Sequence, residues 1–443
     1  MVNRRSFVKM GSLAAGASMA VGCASESASP AAQAAEVTST GPAVSQLPPS
    51  IAALTSMRDQ AQPITAEERR ARIEKARRLM AEQKVDALML TGGTSLAYFS
   101  GMQWGLSERL FAMLLPVKGE AFYVCPAFEE ERAREQIAKG PLGHSADVRT
   151  WEEHENPYQR VSQGLRDRGI ASGSLGIEET VRFVFSDGVS KAAPTVKLTT
   201  GTPISAGCRI TKDVHELALM RLAAQVTLKA YEAAWKALKD GMTQDDFASL
   251  VAQAHRQLGF EGGAGVQVGQ YSALPHGSIT PQVVREGSIL LIDGGCSVEG
   301  YVSDISRTFV LAKATDKMKQ VFDIEYAAQT AALKAARPGV PCEAVDAAAR
   351  KVIVDAGYGP DYKYFTHRVG HGMGMDGHEW PYLVRGNALP LAPGMTFSDE
   401  PGIYIPGEFG VRLEDDMVIT ENGAELMTPQ SPSLEDPFGR PRT

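Results

Sequence analysis

Ser288-Ile289-Leu290-Leu291-Ile292-Asp293-Gly294-Gly295 is an apolar run too short for an ordinary helix, and it ends in an acid where the chain should be buried. A second strand-like run, Tyr301 to Leu311, carries Asp304. A turn centred on Val298 and Glu299 places Asp293 directly opposite Asp304 in an antiparallel pair, with Cβ atoms about 4.5–5.5 Å apart. Facing carboxylates repel unless a cation lies between them, and a pair of divalent ions about 3.5–4 Å apart satisfies both.

The same arithmetic recurs downstream. Glu400, in Phe397 to Gly402, and Glu414, in Gly410 to Asp415, are equidistant from Gly407, and Pro406-Gly407 is a turn signal. That hairpin sets Glu400 opposite Glu414, with Arg412 two residues away on the same face. Either acid pair alone would read as a solvated surface hairpin. Two such pairs, each embedded in apolar strand, do not. Between the hairpins lies Gly370-His371-Gly372-Met373-Gly374-Met375-Asp376-Gly377-His378-Glu379, where glycines allow close approach to an imidazole.

Working outward, a long helix before the first hairpin is announced by Leu217, Met220, Ala224, Leu228, Tyr231, Trp235 and Leu238 at spacings of three and four. Upstream, Val85–Leu90, Phe111–Leu115 and Ala121–Val124 read as strands alternating with helices such as Glu129 to Ile137, which predicts an α/β domain. A preceding helix puts Ile73, Ala76, Leu79 and Met80 on a buried stripe and Arg69, Arg70, Arg72 and Lys75 mostly on the solvated face. The expected organisation is an export segment over 1–34, a flexible linker over 35–64, an α/β domain over 65–205 and an α+β domain over 206–443. A net charge of -7 gives no footprint for nucleic acid.

The N-terminus reads Asn3-Arg4-Arg5-Ser6-Phe7-Val8-Lys9, then an uncharged stretch from Met10 to Gly22 that is shorter than the roughly 20 residues of a membrane span. It resembles a twin-arginine export signal, which implies a periplasmic location. Ala20-Val21-Gly22-Cys23 resembles a lipoprotein box, with Cys23 as the lipidated residue and membrane tether, while Ala32-Gln33-Ala34 is an ordinary cleavage site; both readings stand. Cys125, Cys208, Cys296 and Cys342 are scattered, without a CxxC pair, and read as packing residues.

The stretches Leu291–Phe309, Gly370–Pro381, Glu400–Tyr404 and Gly410–Asp415 resemble the pita-bread metallopeptidases: Xaa-Pro dipeptidase (prolidase), aminopeptidase P and methionine aminopeptidase. The region over 65–205 resembles the creatinase-type N-terminal domain of the first two. The resemblance implies two divalent ions, manganese first and cobalt or zinc as alternatives, held by Asp293, Asp304, His371, Glu400 and Glu414. It implies a metal-bridging hydroxide as nucleophile and Glu400 as general base. His276 and His378 match histidines that bind substrate and stabilise the tetrahedral intermediate, and Arg412 matches a residue that orients the acids.

One departure stands out. Where many prolidases carry an arginine for the dipeptide carboxylate, this chain has Tyr382, with Arg385 three residues on as a substitute. The resulting expectation is an exported, homodimeric peptidase that cleaves before proline in short peptides. A small-metabolite hydrolase or lyase of the creatinase kind, and a non-catalytic binding protein on the same fold, are the alternatives.

Overall fold

A computed structural model describes residues 47–440 and 442. The twin-arginine segment, Cys23 and both processing sites therefore lie outside the described residues. Among the described residues no helix is long and apolar enough to cross a membrane.

The second half of the expected linker is not free chain. Residues 47–64 begin with a short helix, α1 (Pro49–Ala52), and Ile51, Met57 and Ile64 are buried in the core of the C-terminal domain. Ser50 Oγ donates to Ala233 O (2.7 Å) and Met57 N to Leu258 O (2.9 Å). An Ala/Ser/Pro-rich composition hid three apolar anchors spaced along it.

The N-terminal domain runs α2 (Ala66–Gln83), β1 (Ala87–Thr91), α3 (Thr94–Ser100), β2 (Ala112–Pro116), β3 (Phe122–Pro126), α4 (Glu130–Ile137), β4 (Asp147–Trp151), α5 (Pro157–Asp167), β5 (Gly173–Ile177), α6 (Phe183–Ala192), β6 (Val196–Thr200) and α7 (Thr202–Arg209). Its six strands form one sheet in the order β4-β3-β2-β1-β5-β6, antiparallel at β1–β2 and β2–β3 and parallel elsewhere. The first three strands are buried along their whole length, as continuous apolar runs demand when both faces are covered. The boundary expected at 205/206 falls inside α7. Ile204 and Cys208 of that helix belong to the N-terminal core, so the domain break lies between α7 and the next helix.

The C-terminal domain is α+β. It opens with α8 (Val214–Trp235), capped by Asp213 and Glu216 in a reciprocal capping box, and α9 (Gln244–Gln257). These pack with Val266, Leu290, Ile292, Ile305 and Phe309 of a sheet made of β7 (Gly262–Val268), β8 (Ile289–Val298), β9 (Tyr301–Val302) and β10 (Ile305–Val310). A second helix pair, α10 (Asp316–Ala335) and α11 (Cys342–Asp355), shares a separate core with the strands that follow. Those are β11 (Gly370–Gly372), β12 (Glu379–Leu383), β13 (Thr396–Asp399), β14 (Gly402–Ile405), β15 (Phe409–Arg412), β16 (Asp415–Ile419) and β17 (Ala424–Leu426). They make a five-stranded sheet, β12-β11-β13-β16-β17, and the ribbon β14-β15.

The two domains are tied by a buried arginine. Arg72, placed by periodicity on the solvated face of its helix, is 6% exposed because the C-terminal domain covers that face. It donates to Glu216 Oε1 (3.2 Å), Tyr301 Oη (2.7 Å) and Tyr98 O (3.0 Å). Removing the guanidinium leaves Glu216, itself 3% exposed, as a buried carboxylate without a counter-charge. Arg72→Met should therefore lower unfolding stability by about 3 kcal/mol, read as a reduced denaturant midpoint; an unchanged midpoint would show that the latch contributes nothing.

Candidate metal centre

The β8–β10 hairpin brings its acids together by a register other than the one expected. Val298 pairs with Tyr301 and Asp293 with Ser306, so the turn is Glu299-Gly300, two residues with φ of 50° and 88°. Positive φ at both central positions is the geometry that matches strand twist in a two-residue hairpin, and it shifts the partner of Asp293 by two residues. Asp304 is thus diagonal to Asp293. A shift of two preserves the face, so the two acids still converge.

The second hairpin follows the expected register: Gly402 pairs with Arg412, Ile405 with Phe409 and Asp399 with Asp415. Pro406 and Gly407 (φ 78°), closed by Glu408 N on Ile405 O (3.0 Å), form the turn. Glu400 and Glu414 lie where the two ribbons meet, opposite one another.

His371 stands on β11 beside them. Its backbone N donates to Ser398 Oγ (3.0 Å), whose hydroxyl donates to Glu400 Oε1 (3.1 Å). Gly370 must be glycine, because a Cβ there would sit 2.0 Å from Ser398 O. The His371 Nδ1 faces Gly372 O at 3.2 Å, and Nε2 points toward Glu400 Oε1 (3.2 Å) and Asp304 Oδ2 (3.8 Å), donating to the carboxylate when protonated and offering its lone pair to a cation when not. Ligand atoms of Asp293, Asp304 and Glu414 lie within 4.8 Å of one another, as do those of His371, Glu400 and Glu414. Glu414 belongs to both groups. Five side chains from four segments therefore face one cavity of about 300 Å³.

The electrostatics of this cluster fit cation ligands. Burial, with Asp293 and Glu400 nearby, raises the Asp304 carboxyl to about 7; burial and the same neighbouring acids push Glu414 well above the carboxylate range. Burial is the largest influence on Glu400 and opposes its ionisation, but the His371 hydrogen bond together with the charges of His367, His371 and Arg412 outweighs it and holds Glu400 down at about 2. Ser306 Oγ lies 2.8 Å from Asp293 Oδ1 and 2.6 Å from Glu414 Oε2, yet a hydroxyl has a single proton to give. A carboxylate-rich donor set with one imidazole, short of positive charge, suits divalent first-row ions.

Arg412 is a strong cation set against the carboxylates. It contacts Asp293 (2.7 Å), donates to Ser306 Oγ (2.8 Å) and is held by Tyr404 Oη (3.0 Å) and Pro275 O (3.1 Å). His276 and His378 both line the cavity, and the His378 ring stacks on His371 with centroids 3.6 Å apart. Burial and the facing His371 hold the His378 imidazole below its ordinary pKa.

Two expected substrate contacts are placed elsewhere. Arg385 is exposed, paired with Asp361 and directed to a different depression, because it lies past the end of β12. Tyr382 does not line the cavity; its ring lies 4.2 Å beneath the Arg368 guanidinium. Arg368 itself lines the cavity, as does His367, whose Nε2 meets Tyr404 Oη (2.8 Å). Sequence reading passed over both, although His367 sits only four residues before His371. Cys296 is a packing residue: burial pushes its thiol up to about 11.

Comparison with known proteins identifies the frame. Residues 218–421 match the model of metallopeptidase family M24, and residues 72–211 match the creatinase/prolidase N-terminal domain. A curated Xaa-Pro dipeptidase of Lactobacillus delbrueckii subsp. lactis is 32% identical over 372 residues, covering 82% of this chain and 98% of that protein. The chain belongs to the M24 metallopeptidases. As an M24 enzyme it is a metal-dependent peptidase, and it also resembles two solved members along nearly their full length. Dipeptidase PepE from Mycobacterium ulcerans superposes with a TM-score of 0.78 at 32% identity, over 84% of this chain and 99% of that one. Prolidase from Thermococcus sibiricus gives 0.74 at 28%, over 83% and 98%.

Proton competition follows from the raised carboxyls of this M24 site. A divalent ion must displace the proton from Asp304, so apparent affinity falls on the order of tenfold per unit as the pH drops below about 7. Titration with manganese at pH 8 and pH 6, followed calorimetrically, should show this loss; equal affinity at both would refute the assignment of Asp304 as a ligand.

Proposed function

We propose that this enzyme hydrolyses Xaa-Pro dipeptides and short peptides beginning Xaa-Pro, with two divalent ions, manganese foremost. The observation that carries the reading is the convergence of Asp293, Asp304, His371, Glu400 and Glu414 on one cavity with Arg368 at its wall. The ions, when bound, supply an acidified water and polarise the scissile carbonyl. Asp293, Asp304, His371, Glu400 and Glu414 would hold them.

The chain's own groups do the rest. Glu400 takes the nucleophile's proton and passes it to the leaving proline nitrogen. His276 and His378 donate to the carbonyl oxygen as it gains charge. Among the described residues Arg368 has no ion-pair partner, so its guanidinium is free for the C-terminal carboxylate of a dipeptide, with Tyr382 stacked beneath it. That cation supplies the positive charge that the phenol at 382 lacks, which favours a peptidase over a lyase. Retention of every donor weighs against a binding protein.

The N-terminal Arg4-Arg5 pair and following apolar stretch support export to the periplasm in folded form, with Cys23 as a lipid anchor if the box at 20–23 is cut. We also propose a homodimer, in keeping with the two-domain M24 enzymes.

Assay of the purified protein on Leu-Pro and on longer Leu-Pro peptides should show release of leucine, abolished by chelator and restored by manganese. No metal-dependent release from any Xaa-Pro substrate overturns the reading. Glu400→Gln should lower kcat by about a thousandfold. Arg368→Met should lower kcat/KM for Leu-Pro by about 10–100-fold while sparing Leu-Pro amide, which carries no carboxylate.

A further inference from the structure

Behind His378 lies a second cavity, of about 410 Å³, of which His378 is a shared wall. It is built at the junction of the domains, from the loops after β1 and β5, from α7, and from the segment 376–380. The junction is fastened around it. Thr94 hydrogen-bonds Asp376, Arg209 pairs with Asp376 (2.5 Å) and with Glu379, and Lys212 pairs with Glu379 (2.5 Å).

Charge accounting on these walls leaves a remainder. Two cations, Arg209 and Lys212, cancel two acids, Asp376 and Glu379. Glu178 and Glu179 are left over. Glu178 is only 5% exposed, takes a hydrogen bond from Thr180 Oγ1 on one oxygen (2.8 Å), and has no cation within ion-pair distance among the described residues. A carboxylate so buried costs free energy unless a positive group meets it. Glu179 accepts from Trp380 Nε1 (3.1 Å), which fixes the indole as a wall of the cavity and of the shallow apolar groove leading from it. An indole face beside carboxylates is a receptor for an organic cation.

We propose that this cavity receives a cationic side chain, lysine or arginine, of the residue preceding proline, and that Glu178 is the carboxylate it meets. The proposal rests on the Xaa-Pro reading above. A dipeptide held by its carboxylate at Arg368 and by its scissile carbonyl at the metal donors has the side chain of its first residue still to place. The second cavity adjoins the metal cavity at His378, the residue that lines both.

The test compares kcat/KM for Lys-Pro with that for norleucine-Pro, a neutral substrate of similar length, on the metal-loaded full chain. Wild type should prefer Lys-Pro by about tenfold or more, chiefly through KM, as a charge-assisted bond implies. Glu178→Gln should bring the ratio near one. Trp380→Leu, a change at a half-exposed position, should reduce it severalfold and serves if the first variant does not fold. A wild-type enzyme without charge preference, or a preference that survives in the folded variants, overturns this inference while norleucine-Pro hydrolysis upholds the peptidase reading. Absence of hydrolysis on every Xaa-Pro substrate overturns both.

Discussion

Three carboxylates, Asp293, Asp304 and Glu414, approach within 4.8 Å of one another inside the protein, and much of the C-terminal domain is arranged to tolerate that repulsion. Arg412 spans Asp293 and Ser306 from one side, and His371 faces Asp304 and Glu400 from the other. Beneath them Arg307, wholly buried, pairs with Asp415 (2.7 Å) and donates to Glu414 O (2.8 Å), so β10 and β16 are locked together under the site. The remaining imbalance appears as carboxyls pushed toward protonation. Such a cluster is stable as a fold and still short of positive charge, which is the physical condition for binding cations strongly.

The same hairpins explain what could be read from the chain and what could not. Pro406-Gly407 is an explicit turn signal, and the register it dictates is the one observed. In the first hairpin a non-glycine residue, Glu299, adopts positive φ, a conformation that residue preferences argue against. The pairing therefore moved by two, and only the period of the strand kept both acids on one face. Strands β1 to β3 and helix α8 were legible because their burial is local. Arg72 was not, since a helix's pattern cannot reveal that a second domain covers its charged side. Segment 47–64 was missed for a related reason: three well-spaced apolar residues are enough to dock a chain whose average composition looks unstructured.

Within the site, the candidate donors stand out in the sequence because acids in apolar strands are conspicuous. Arg368 and His367 do not, being ordinary polar residues in a loop whose meaning comes from where β11 delivers them. The search for a carboxylate-binding cation instead went to Tyr382 and Arg385, nearer the second histidine in sequence. The tyrosine ring lies beneath the Arg368 guanidinium instead.

The fastening of Asp376 and Glu379 to Thr94, Arg209 and Lys212 has an evolutionary corollary. Because His378 sits between those two acids in the chain, residues of the N-terminal domain and of the junction after it help to set where the imidazole stands beside the metal cavity. Mutational drift in the first domain can thus retune which peptides are accepted while the hydrolytic apparatus, anchored in the second, stays untouched.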